Sequence, residues 1–124
     1  PVGEFGLSSV LLLDDCRYPW VILVPRVVGV REIFELGPAE RAELLDESCR
    51  LGAWMLRAFD GDKLNVGALG NLVPQLHIHH VVRHKGDPAW PGPVWGHSPA
   101  TPYDEPGWTE RIDRLRRGLD LTRG

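Results

Sequence analysis

Cysteine is scarce in this 124-residue chain, with two in all, and Cys16 and Cys49 lack CxxC spacing, so a disulfide scaffold is not indicated. Both read as reduced packing residues of an intracellular protein. Long apolar runs are missing too: none approaches the roughly 18 residues that a membrane span needs. With no signal-peptide pattern either, the expectation is a cytoplasmic protein without a membrane segment. Basic charge is not in excess, since the net charge is -3, which argues against a nucleic-acid binder. There is no Walker-type glycine loop, no GxGxxG and no internal repeat.

What is present suits one folded domain over 1–124. Apolar residues make up 43% of the chain, close to the globular average, and the length is that of a common single core. Residues 9–13 (SVLLL) and 20–25 (WVILVP) are apolar runs separated by DDCRYP, which predicts a hairpin. VREIF, 30–34, is ambiguous. Gly37 and Pro38 open a helix that Asp60 and Gly61 close. Leu45, Ser48, Cys49, Gly52, Met55, Leu56 and Phe59 recur at helical spacing, opposite a solvated face of Glu40, Glu43, Glu47, Arg50 and Arg57. Residues 63–69 read as a strand, and Gly70 and Asn71 turn the chain into a final strand over 72–83.

Beyond this core, about 8–84, the texture changes. The stretch 87–106 is rich in proline, which excludes an interior helix or central strand. Trp90 and Trp95 are expected to anchor it as an extended arm on the domain or on a partner subunit. A C-terminal helix over 107–121 follows, with Trp108, Ile112, Leu115 and Leu119 inside and Arg111, Arg114, Arg116 and Arg117 on a solvated face. This order predicts an α+β fold on an antiparallel sheet.

The chemistry concentrates in PQLHIHHVVRH, 74–84. In a strand, Gln75, His77, His79, Val81 and Arg83 share one face, and Leu76, Ile78, His80, Val82 and His84 the other. The second set belongs to the core side, so His80 reads as a satisfied buried histidine and His84, at the strand end, as exposed. The polar row Gln75, His77 and His79 remains. A metal site on His77 and His79, with His97 as a third ligand, is one reading, but a cupin-like site would want a nearby carboxylate that HVVRHKG lacks. A nucleophilic histidine is the other: neutral imidazole attacks phosphorus, leaves well, and needs its second nitrogen oriented by an acceptor.

Gln75-Leu-His77-Ile-His79-His80-Val81 resembles the His-φ-His-φ-His-φ-φ motif of the histidine triad (HIT) family. WVILVPR is similar to that family's HxLVIPK strand, and LNVGALGN to its strand and glycine turn. The arm DPAWPGPVWG looks like that of a bacterial subgroup of the diadenosine-polyphosphate-hydrolase-like type. The resemblance covers roughly residues 8–97. It implies a HIT-like α+β fold with a five-stranded antiparallel sheet, usually homodimeric through the long helix and neighbouring strand. It implies nucleotide hydrolysis or transfer at an α-phosphorus, on dinucleoside polyphosphates or nucleoside phosphoramidates, with no cofactor and no protein-held metal. His77 is then the nucleophile and His79 a phosphate contact. Asn65 and Asn71 take the polar positions near the phosphate, and Asp15, or Asp14 in its place, reaches the ribose hydroxyls. Two positions depart from the pattern. Gln75 replaces the first triad histidine and offers hydrogen bonds without charge. Trp20 replaces the strand histidine, and its reading is core filling.

Overall fold

The computed structural model describes residues 1–122; the last two residues of the expected 1–124 domain lie outside the described residues. Its elements are β1 (Gly3–Glu4), β2 (Ser8–Leu12), β3 (Trp20–Pro25), α1 (Pro38–Ala58), β4 (Lys63–Gly67), β5 (Ile78–Arg83) and α2 (Glu105–Leu119). They form an α+β fold on a five-stranded antiparallel sheet of order β1-β2-β3-β5-β4. The expected hairpin is β2–β3, with Leu12 opposite Val21. The ambiguous stretch before the helix becomes a single 3₁₀ turn, Ile33–Glu35.

Helix α1 begins where proline and glycine predict. Pro38 sits in its first turn, and the Glu40 carboxylate accepts from the Gly37 N–H at 2.8 Å, which satisfies a donor left free by the helix start. Its buried stripe is Leu44, Glu47, Leu51, Gly52 and Met55, which keeps Gly52 and Met55 of the expected face and replaces Leu45 and Cys49 with Leu44, Glu47 and Leu51. Leu45 is therefore exposed, and both cysteines are free and exposed rather than packed. Glu47 is not on a solvated face. It lies under the β1–β2 turn, where its Oε2 accepts from the Leu7 N–H at 2.7 Å; a carboxylate is tolerated there because it caps a backbone donor.

Each face of the sheet is covered by different material. On one side α1 and α2 pack over Val10, Val21, Leu23, Ile78 and Val82. On the other, the proline-rich arm lays Ala89, Val94 and Trp95 against Tyr18, Trp20, Ile22 and Val81. The arm is held at its root by Arg83, whose Nε and Nη2 donate to the two carboxylate oxygens of Asp87 at 2.8 and 2.9 Å. That contact holds the Asp87 carboxyl down at about 2, chiefly through the hydrogen bond from Arg83. Trp90 and Trp95 thus anchor the arm on their own chain, Trp90 against the Arg83 guanidinium and Trp95 against Trp20.

Three further expectations change. The final strand spans only Ile78–Arg83: Pro74 has no N–H for a ladder, and the Leu76 N–H donates to the Val30 carbonyl instead. His84 is half-buried, its ring bonded to the Phe59 carbonyl at 2.8 Å. Helix α2 starts at Glu105, with the Asp104 side chain accepting from Gly107 N–H, and its arginines are not all solvated. Arg116 donates to the Val2 carbonyl, Arg114 to the Ala58 carbonyl, and Arg111 lies over the Phe59 ring.

Candidate active site

The alternation of 75–84 persists although its first residues are not strand. Leu76 and Ile78 enter the helix-side core while Gln75 and His77 stay half-buried on the opposite side. The His77 Nδ1–H donates to the Gln75 carbonyl at 2.7 Å. In the neutral ring this leaves the Nε2 lone pair free, the arrangement a nucleophilic imidazole needs. The same carbonyl would stabilise the cation that a bond at Nε2 creates.

His79 follows on the same face, with its ring centroid 5.2 Å from that of His77. Its Nδ1 accepts from the Trp20 indole N–H at 2.9 Å, and the Trp95 ring meets it edge-on at 5.8 Å. Only 9% of His79 is exposed. Burial, and then the neighbouring His77, lowers its pKa to about 4, so the ring is neutral at pH 7. Gly67, its register partner on β4, makes room for Trp95: a Cβ there would stand 3.2 Å from the indole Cη2.

The other histidines do structural work. His80 is fully buried, with Nδ1 bonded to the Ile78 carbonyl at 3.1 Å and Nε2 to the Ser48 hydroxyl at 2.7 Å. Its pKa is also lowered to about 4, first by burial. His97 pairs with Ser98 on the exposed arm. Among the described residues no three His, Cys, Asp or Glu side chains converge as a metal site would require.

The predicted site residues do not all gather. Gln75 lies beside His77, its amide nitrogen 3.4 Å from both the Pro25 and Val27 carbonyls. Asn71 is exposed in the loop after Gly70, whose φ of 82° makes the turn. Asn65 pairs with Val81, two positions beyond the Gly67–His79 pair, and its Oδ1 accepts from Arg83 at 2.9 Å. Asp15 is buried and committed to Arg17, whose Nε and Nη2 reach it at 3.0 and 2.9 Å. It belongs to the turn before Trp20, whereas His77 precedes the Ile78–Leu23 pair near Val24. Trp20 and Val24 are four residues apart, roughly 13 Å along a strand, so the structure does not bring Asp15 to His77. Asp14 accepts from the Tyr103 N–H and also ties the arm.

Two clefts flank His77. One, about 240 Å³, is lined by Leu11, Ile22, Val24, Val73, Gln75 and His77. It offers an apolar floor suited to a planar base, with the imidazole at its edge. The other is a narrow slot of about 20 Å³ beside Arg31 and the Ala68–Gly70 turn. A larger open depression of about 570 Å³ lies on α2, lined by Glu105, Thr109, Glu110, Asp113 and Arg117, and includes none of these histidines.

Residues 1–86 match the HIT domain family. The chain belongs to the HIT family. It is 54% identical to a histidine triad protein from Marinobacter aquaeolei, over 96% of this chain and 87% of that one, at a TM-score of 0.93. Histidine triad proteins from Sinorhizobium meliloti and Bradyrhizobium japonicum are each 42% identical, over 95% of this chain and 87% and 88% of theirs, at a TM-score of 0.92. No curated protein matches the chain. HIT membership supports nucleotide binding and, in general, hydrolase or transferase chemistry. No helix among the described residues is long and apolar enough to cross a membrane.

Sequence reasoning missed three partners of this HIT site: the Trp20 N–H on His79, the Trp95 ring beside it, and the Arg83–Asp87 pair that seats the arm. The signal for the first was present, because Trp20 stands where the motif has a histidine, itself a potential donor.

Proposed function

We propose that the chain is a nucleotide hydrolase or nucleotidyl transferase acting at an α-phosphorus, on dinucleoside polyphosphates or nucleoside phosphoramidates, as a single-domain cytoplasmic homodimer. The observation that carries this reading is the His77 Nδ1–Gln75 carbonyl bond, which leaves Nε2 as a free nucleophile beside an apolar cleft. In the first step a P–N bond forms between His77 Nε2 and the α-phosphorus, and the leaving group departs with the electrons of its own bond to phosphorus. Water then attacks, the P–N bond breaks, and the nucleoside monophosphate and neutral His77 are regenerated. His79, the Gln75 amide and the backbone N–H groups near Asn71 stabilise the charge on the phosphoryl oxygens. Asn65 and Asp15 support this site indirectly, through Arg83 and the arm.

The dimer reading rests on an unpaired edge. β4 ends the sheet order, and beside it Ile33, Leu45 and Val66 are exposed around an apolar groove of about 340 Å³. Two exposed free thiols suit a reducing cytoplasm. A second reading, a nucleotide-binding regulatory dimer with little turnover, rests on Gln75, an uncharged group in the place of a triad histidine.

Intact-protein mass spectrometry after an acid-free quench tests the chemistry, with adenosine phosphoramidate or diadenosine polyphosphate as substrate. A gain of one AMP in the wild type and none in His77→Ala is expected. Bound nucleotide with neither adduct nor consumption would replace this reading with the binding-only one. Gln75→His adds to the comparison: a large gain in rate marks an impaired site, and no gain marks glutamine as part of a working one.

A further inference from the structure

His79 sits between two indoles that do different things. Trp95 meets it edge-on, whereas Trp20 reaches it through a hydrogen bond between two ring nitrogens 2.9 Å apart. An indole N–H donates and never accepts. The His79 nitrogen that faces it must therefore be bare, and in a neutral imidazole the proton then resides on the other nitrogen. Among the described residues, His79 Nε2 has no protein hydrogen-bond partner.

We infer that Trp20 is a positioning residue: its indole N–H fixes His79 as the neutral ring with its proton on Nε2, a ready donor to a phosphoryl oxygen held at His77. The role of that donor rests on the reaction proposed above. The tautomer itself does not, because it is a property of the free protein.

The arrangement also resists protonation. An imidazolium would place a second N–H head to head with the indole N–H, so His79 gains a proton only by giving up the bond. Among the described residues no carboxylate offsets that loss. The titratable groups beside it are His77 and, next along the strand, His80; β3 and the arm bring indole rings, and β4 brings Gly67. The phosphate contact is therefore a neutral dipole at neutral and mildly acid pH, where a histidine at position 20 could turn its ring, accept, and let His79 become a cation.

Long-range ¹H–¹⁵N spectra of the ¹⁵N-histidine-labelled protein, recorded from pH 8 to pH 5, read the tautomer without any substrate. The wild type is expected to show one His79 form throughout, with Nδ1 bare and Nε2 protonated. In Trp20→Phe the two neutral tautomers mix and His79 titrates at higher pH; in Trp20→His it titrates higher again. A purely space-filling tryptophan would leave both observables unchanged in Trp20→Phe. A protonated Nδ1 in the wild type, or an unaltered tautomer in folded Trp20→Phe, overturns the inference. With substrate, Trp20→Phe should lower kcat by about tenfold or more, as loss of an oriented donor does, and change KM little. If the wild type shows the expected tautomer but forms no AMP adduct, the transferase reading fails and the positioning role stands.

Discussion

Removing the Asp87 carboxylate breaks the buried ion pair at the root of the arm. In the folded chain that carboxylate receives four hydrogen bonds: Arg83 Nε at 2.8 Å, Arg83 Nη2 at 2.9 Å, His84 N–H at 3.0 Å and Trp90 N–H at 2.8 Å. Arg83 is 1% exposed, so Asp87→Ala strands a desolvated guanidinium with the Asn65 oxygen as its remaining hydrogen-bond acceptor among the described residues. Breaking such a pair from one side costs about 3–5 kcal/mol. At about 4 °C per kcal/mol for a domain of this size, the melting temperature at pH 7 should fall by roughly 12–20 °C. Circular dichroism at fixed protein concentration measures it. The pH dependence adds a check. Because the folded-state pKa of Asp87 is depressed to about 2, its contribution is whole above the ordinary carboxylate value and is lost as pH falls through the folded value. The gap between wild type and variant should thus be equal at pH 7 and pH 5 and narrow below pH 4. Replacing both partners, Arg83→Met with Asp87→Leu, should recover most of the loss, since no charge is left unpaired. An Asp87→Ala protein melting within about 3 °C of wild type, or a double variant no better than the single one, would refute the reasoning.

Other substitutions probe other links. Leu45→Glu alters a side chain that is 66% exposed; the proposed homodimer predicts a dimer for the wild type and a monomer for the variant in sedimentation velocity, with the circular dichroism spectrum unchanged. Ser48→Ala removes the hydroxyl bonded to buried His80 Nε2 and should lower stability by about 1–3 kcal/mol in urea unfolding. Gly118→Ala sets about 1 kcal/mol of gained helix propensity against a Cβ placed 2.1 Å from the Trp54 ring. The clash between helices should win, with a net loss of roughly 1–2 kcal/mol, and a gain in melting temperature would show that α2 shifts freely.

Elements with a strong local signal were legible in the sequence. Pro38 and Asp60 bracket α1, the β2–β3 hairpin follows from two apolar runs, and the triad pattern pointed to His77. What escaped depended on partners distant along the chain. No periodicity shows that Glu47 will meet a backbone N–H forty residues earlier, so it reads as a surface charge, and Leu45 and Cys49 read as buried in the first half of α1 where Leu44, Glu47 and Leu51 are. The pattern over 72–83 runs longer than strand β5 because alternation outlasts hydrogen bonding: Leu76 and Ile78 keep the side-chain rhythm while Pro74 breaks the ladder. Asp15 looked free for a ribose because Arg17, two residues on, was not recognised as its partner.

The arm packs on the sheet from beyond the reach of the family likeness. The match to the HIT domain ends at residue 86, one residue before the carboxylate that neutralises Arg83 and nine before the indole that flanks His79. A chain trimmed at that border would keep every residue of the triad motif yet expose Tyr18, Trp20 and Val81 and leave a cation in the floor of the sheet. In this chain the matched family domain and the packing that covers its sheet do not end at the same residue.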